Sequence, residues 1–479
     1  MLPGVVNNFW KDNEKSMFLY LFLFHVIISV SLFIVANTEY LSSLHNGEGL
    51  WNFAVDSTLY HKEALNSIIY LENSEWLSWW QLYQDHQHVR IISLVYWLTG
   101  YYEPIIFEIV NGIVWTTSVL LIHRMARSLF PNNDLVPLFV VVFFFQPSVL
   151  ISSTQLLRDP ILILGFCFIC YGFVLLSKKN SIWKWFFAIQ FGLILLLSMR
   201  EYLGILVLFF LLLPAIILVR SKKNIAPLIL LLIPIILLEF SPQREVHISI
   251  AGIAAEVIAK EQVSQNQVSQ NQVSQNQVSQ NQVSQNQVSQ NQVSQNQVSQ
   301  NQVSQNQLSQ NKSVYMAFLN SISERVSSMR SGFINVNSYA GSRIDADHKY
   351  NNFFDAVQYF PRALQIGFLS PFPSTWLEEG RQTGRVGKLL SGLEMIIWYL
   401  ILLGFLYTIL KEPSAIKPLA VVFLFSVIVI ILLAYVVPNA GAIYRMRQAY
   451  MIPFFLFGSY GLHLIRNDFF KYTKSSKQL

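Results

Sequence analysis

The chain is 479 residues long, 53% of them apolar and only 13% charged, about half the charged share of an ordinary soluble domain. That balance excludes a water-facing globule of this size, and the solvent it implies is a lipid bilayer. The net charge of +6 does not point to nucleic acid, because the basic residues line the edges of apolar runs and no aromatic-basic module accompanies them.

A helix needs about 20 apolar residues to cross the hydrocarbon core, somewhat fewer where interfacial anchors help. The polar start, residues 1–15, carries Lys11, Asp12, Glu14 and Lys15 and leads into a first span at 16–36. No small-residue cleavage site stands out after Ala36, so this segment reads as a first transmembrane helix or an uncleaved anchor. Six further spans fall within 104–240, near 104–122, 134–152, 160–177, 183–199, 202–219 and 226–240. Three more fall within 389–465, near 389–410, 417–437 and 449–465. The expected fold is therefore all-α and integral to the membrane, with about ten transmembrane helices. Cys167 and Cys170 share one face of an apolar run and read as small core residues, with neither a disulfide framework nor a redox site.

With the N-terminus inside, the cytoplasmic connections hold Arg124 and Arg127; Lys178, Lys179 and Lys184; Arg220, Lys222 and Lys223; and Lys411 and Lys417. The tail, 466–479, holds Arg466, Lys471, Lys474 and Lys477. Each short inside loop is then basic, as the positive-inside rule requires, and both termini of a protein of the cytoplasmic membrane lie in the cytoplasm. The apolar stretch Ile91 to Leu98 would invert this order if it were a span, so an interfacial or re-entrant helix is expected there.

Two extracytoplasmic segments follow, 37–103 and 241–388. The first is rich in rings (Trp51, Trp76, Trp79, Trp80, Trp97, Tyr60, Tyr70, Tyr83), and such side chains favour the headgroup layer, so interfacial helices are expected. The second contains Gln-Val-Ser-Gln-Asn ten times over, residues 262–311, with Leu308 replacing Val in the last unit. A period of five turns the apolar position by about 140° per unit of helix and alternates it across a strand, so no continuous apolar face forms. With one Val in five, no charge and no Gly, the tract buries too little to offset its ordering entropy, and disorder is expected. Beyond it, Tyr359-Phe-Pro-Arg-Ala-Leu364 and Ser370-Pro-Phe-Pro-Ser-Thr-Trp376 read as a rigid segment returning to the membrane, with Arg362 in a structural turn.

The stretch most suggestive of chemistry is Val55-Asp-Ser-Thr-Leu-Tyr-His-Lys-Glu-Ala64, in which Asp56, Tyr60 and Glu63 fall at helical spacing and give one face two carboxylates and a phenol. Here the sequence resembles the GT-C class of membrane glycosyltransferases, which includes protein O-mannosyltransferases and the aminoarabinose transferase of lipid A. The resemblance extends through Arg90-Ile-Ile-Ser-Leu-Val-Tyr-Trp-Leu-Thr-Gly100, Asn111, Gln146-Pro-Ser and Leu157-Arg-Asp-Pro160, over roughly the first 220 residues. It implies that Asp56 acts as catalytic base or metal-linked carboxylate and that Asp159 supports it. The segment from Lys312 to Lys388 has no counterpart in that pattern.

Independently of the resemblance, the outer span ends select arginine over lysine: Arg158 with Asp159, Arg200 with Glu201, and Arg445 with Arg447 after the turn Pro438-Asn-Ala-Gly441. A guanidinium fork gives bidentate bonds to phosphate oxygens, which is what a polyprenyl phosphate headgroup requires. Snorkelling arginines, or arginines that pair with neighbouring carboxylates and fix helix ends, are the structural alternative. Asp85, His86 and His88 lie close in sequence and carry the donor types of a divalent metal site, although a polar interfacial turn ending in Arg90 is the preferred reading; no cofactor is required.

The reading that results is a glycosyltransferase taking a polyprenyl-phosphate-linked sugar to a glycan or lipid-linked acceptor at the outer face of the membrane. An O-antigen or exopolysaccharide polymerase centred on the arginines is the nearest rival. A lipid-linked glycan transporter or flippase is another: Glu108, Glu239 and Glu394 are few acids for a conducting path, but Pro214 and Pro234 do interrupt spans. A scaffold or adhesin displaying the repeat would not need ten spans.

Overall fold

A computed structural model describes residues 14–83, 86–178, 181–200, 202–212, 229–231, 316–335, 341–380 and 384–475. The repeat tract and the span expected at 226–240, but for residues 229–231, lie outside these. Among the described residues the chain is helical throughout, and its only β-bridges are two isolated ones, His45 with Trp51 and Arg343 with Asn439.

In chain order the helices are α1 (Glu14–Ala36), α2 (Val55–Glu72), α3 (Trp76–Gln81), α4 (Gln87–Thr99) and α5 (Pro104–Leu129). Then come α6 (Val136–Val141), α7 (Pro147–Ser153), α8 (Asp159–Ser177), α9 (Ile182–Met199) and α10 (Leu203–Val207). The remainder are α11 (316–335), α12 (Phe353–Leu369), α13 (Gly384–Lys411), α14 (Ala420–Val436), α15 (Ala440–Met446) and α16 (Ile452–Ser475).

Six helical segments are long and apolar enough to cross a membrane: α1, α5, α8, α9, α13 and Pro413–Val436, which contains α14. A seventh is counted if the bent pair Val136–Phe145 and Pro147–Ser153 is one span. This is a multi-pass helical membrane protein; of the ten expected spans the described residues show six, or seven with the bent pair. The run at 134–152 is not one straight helix: Pro147 holds Gln146 in an extended conformation (φ −60°, ψ 132°), and the two halves diverge by 58°. The run at 202–219 is described only as far as Leu212, where a short α-turn passes into a π-turn. The run at 449–465 lies mostly within α16, which is not among the six.

The stretch Ile91–Leu98 belongs to α4, whose 13 residues reach about 20 Å at 1.5 Å each, short of a hydrocarbon core of about 30 Å. It packs on α2. Elsewhere the helix starts follow the sequence: Pro104 opens α5 after an extended Glu103, while Asn352 and Asn439 cap α12 and α15 by accepting from the Asp355 and Ala442 amides.

Two helix pairs depend on missing side chains. A Cβ at Gly192 of α9 would stand 2.5 Å from the Gly165 carbonyl oxygen of α8, and one at Gly461 of α16 would stand 1.7 Å from the Gly404 carbonyl oxygen of α13. With no hydrophobic drive between helices in lipid, such close approach supplies the packing. Cys167 and Cys170 are free thiols buried in α8.

Both ends of the bundle carry ion pairs. At one end Glu14 pairs with Arg124 at 2.5 Å, Lys178 meets the Ser128 carbonyl, and Lys411 pairs with Asp468 at 3.2 Å. Asp159 opens α8 and Arg200 follows α9 at the opposite end, where α2 also packs.

Candidate functional site

Four charged side chains, three from helices and one just after α9, form one alternating chain at that second end. Asp56, in the first turn of α2, accepts from Arg445 Nη2 at 2.6 Å. Arg445, in the last turn of α15, also brings Nε within 3.4 Å of Asp159 Oδ2. The other oxygen of Asp159 accepts from Arg200 Nη2 at 3.3 Å, and Arg200 Nη1 donates to the Tyr202 hydroxyl at 2.7 Å. Burial divides the two acids: the Asp56 side chain is 42% exposed, that of Asp159 only 5%. Asp56 is thus the carboxylate that can reach a substrate, while Asp159 lies between two guanidinium groups. Burial disfavours the Arg445 cation, but the Asp159 and Asp56 carboxylates outweigh it and hold its pKa above the ordinary value.

Tyr60 lies one turn after Asp56 and is buried, its ring edge-on to His88 (centroids 4.0 Å apart) and to His86 (5.2 Å). Burial pushes its phenol up to about 12, and the charges of Arg158, Asp56, Asp159 and Arg445 all act on it, so it sits among them. Arg158 is half-buried and near enough for its charge to act on His88 as well. Glu63, on the next turn, is engaged by His86 Nδ1 at 2.8 Å.

The structure therefore brings together Asp56, Tyr60, Arg158, Asp159, Arg200 and Arg445, with Glu63 at the edge. Arg447 is elsewhere. Its buried guanidinium donates to the Gly367 carbonyl at 2.6 Å and lies beside Met395 and the rings of Trp398 and Tyr444. Two residues at the end of a helix point about 200° apart, so the pairing of Arg445 with Arg447 read from their spacing separates into two different environments. The expected partner of Arg200, Glu201, lies outside the described residues; the partner found is Asp159.

Asp85 also lies outside the described residues, and His86 and His88 both lie edge-on to the Tyr60 ring. Among the described residues no group of three or more His, Cys, Asp or Glu side chains could hold a metal ion. Between Asp56 and Asp159 stands the Arg445 guanidinium, so this donor set does not fit a divalent cation. Arg362, expected in a structural turn, instead lies within α12 and binds Asp345 through Nε and Nη2, at 2.8 and 3.0 Å.

Supporting contacts come from residues that sequence reasoning did not assign to the site. Gln155 accepts from the Trp51 amide at 3.0 Å and its carbonyl accepts from Asn111 at 2.8 Å, which ties the approach to α2 to the turn before Arg158 and Asp159. Glu394 accepts from the Ser148 amide and hydroxyl, at 2.7 and 2.5 Å, and from the Tyr444 hydroxyl, which holds α15 beside α7 and α13. Asn111 and Ser148 lie within the quoted stretches, but no spacing rule singles out Gln155 or Tyr444. Family models, curated proteins and solved structures were compared with the chain, and none matches it.

Proposed function

We propose that the chain is a polytopic glycosyltransferase that uses a polyprenyl-phosphate-linked sugar at the extracytoplasmic face of the cytoplasmic membrane, in assembly of a surface glycan. About ten spans, with both termini cytoplasmic, complete the reading. The observation that carries it is the convergence of Asp56, Arg445, Asp159 and Arg200 at the bundle end opposite Arg124, Lys178 and Lys411.

The chemistry is an acceptor hydroxyl attacking the anomeric carbon. Its proton passes to Asp56, the new C–O bond forms, and the old one breaks with its electron pair leaving on the lipid phosphate. Arg158 and Arg445 neutralise that phosphate as charge builds on it, Arg445 exchanging its contact with Asp56 for one with the leaving group. The base is freed by the same movement. Asp159 and Arg200, both buried, fix where Arg445 can go.

The test is the surface-glycan profile of cells carrying Asp56→Asn, beside wild type and a deletion, at matched membrane abundance. Loss of the bands that the deletion loses supports the carboxylate mechanism. A wild-type profile with a defective deletion overturns it.

One observation favours a second reading. Arg445 touches both carboxylates, so it is the hub of the group, as an arginine-centred polymerase would require. Activity abolished by Arg445→Gln yet indifferent to Asp56→Asn would select that reading.

A further inference from the structure

Residues 241–388 were expected outside the membrane, yet α12 does not stay at its surface. Near its start, the Tyr435 hydroxyl of the last turn of α14 donates to the Ala356 carbonyl at 2.7 Å. Near its end, Gly367 lies so close to α14 that a Cβ there would be 2.9 Å from the Ile430 carbonyl oxygen. Ile430 is six residues before the end of α14, about 9 Å along the axis.

The other neighbour agrees. Trp398 Nε1 donates to the Phe368 carbonyl at 2.6 Å, and the Tyr399 hydroxyl to that of Leu369 at 2.7 Å. Tyr399 is twelve residues, about 18 Å, from the far end of α13, which leaves about 12 Å of a 30 Å core above it.

The end of α12 is built for a place without water. A helix leaves its last four carbonyls unpaired, and hydrocarbon offers them nothing. Here Ile366 accepts from Ser370 Oγ at 2.6 Å, Gly367 from Arg447, Phe368 from Trp398 and Leu369 from Tyr399. The Arg447 cation also faces the negative end of the helix dipole, which accounts for a buried guanidinium whose described contacts include no carboxylate.

Around its axis α12 has three sectors. Tyr359, Ala363, Ile366 and Gly367 are buried. Phe354, Val357, Phe360 and Leu364 are exposed at spacings of three and four, and Asp355, Gln358, Arg362 and Gln365 form a polar sector between these two faces.

We propose that α12 is a re-entrant half-helix that dips about 10 Å into the bilayer, with the Phe354, Val357, Phe360 and Leu364 face against lipid chains and the polar sector against water. This rests on the membrane-spanning helices alone and not on the glycosyltransferase reading.

The experiment uses the full chain in nanodiscs, with nitroxide labels on single cysteines introduced at Val357, Phe360, Leu364, Gln358 and Gln365. Leu403 in mid-α13 serves as lipid reference and Lys349 as water reference; unsubstituted protein reports any label on Cys167 or Cys170. Collision with oxygen, which concentrates in lipid, is compared with collision with a water-soluble nickel chelate. The oxygen-to-nickel ratio should be several-fold higher at Val357, Phe360 and Leu364 than at Gln358 and Gln365, rise toward Leu364, and approach that of Leu403. Ratios at Phe360 and Leu364 equal to that of Lys349 would overturn the proposal. So would exclusion of both quenchers there, which would mean that protein covers this face.

Discussion

Arg445 and Asp56 stand 389 positions apart in sequence and meet at 2.6 Å, so the C-terminal spans close over the loop that follows the first one. The pair is half-exposed on both sides, which makes it a weak stabiliser and a contact that a substrate can break.

Asp56→Asn should therefore separate activity from stability. If Asp56 is the general base of the proposed transfer, its loss lowers the rate by about 10²–10⁴-fold, whereas loss of a half-exposed ion pair costs about 1 kcal/mol or less. Purified variant and wild type should unfold at nearly the same temperature in detergent while the glycan bands disappear. A large drop in the unfolding midpoint would make Asp56 a structural residue.

Arg447→Ala should do the reverse. It removes a buried charged hydrogen bond from the end of α12, a loss of about 2 kcal/mol, and leaves the Gly367 carbonyl without its donor. A midpoint lower than that of Arg445→Gln is the expected result in the same assay. Equal midpoints would count against the capping role.

His88 should make stability depend on pH. Burial holds it down to about 3 in the folded chain, against an ordinary value of 6.5, with the Arg158 charge adding to the effect. The unfolded chain therefore binds a proton that the folded chain refuses. Stability is fully present above pH 6.5 and falls as pH drops toward 3, by about 2 kcal/mol between pH 7.5 and 5. Tyr60, His86 and Arg158 face the ring, and His88→Phe should flatten unfolding midpoints across that range relative to wild type.

Gly461→Ala tests the α13–α16 seam. Its Cβ would fall 1.7 Å from a backbone carbonyl, so the helices must part, at a cost of about 3 kcal/mol or more. Gly332→Ala, where the added methyl meets nothing within 4 Å, is the control. A variant as stable as that control would show that the seam is looser than described.

The individual residues of the site were legible before the fold was known. Asp56 and Tyr60 share a helical face because helical periodicity is local, and Arg158 and Asp159 open a helix because Pro160 follows them. That Asp159 takes Arg200 as partner, and that Arg445 serves both acids, is not local at all: it depends on which helix ends lie side by side.

The same division runs through the whole chain. Composition and periodicity by themselves determine that this is a multi-pass helical membrane protein, because burying 53% apolar residues in helices of membrane length is a property of each segment alone. Only the tertiary structure decided that residues 134–152 bend at Pro147, that the end of α12 packs against Ile430 of α14, and that Arg447 closes a helix while Arg445 joins the acids. Each of these depends on which carbonyls, carboxylates and glycines of distant segments come within reach, and sequence spacing does not encode distance between segments that are not neighbours.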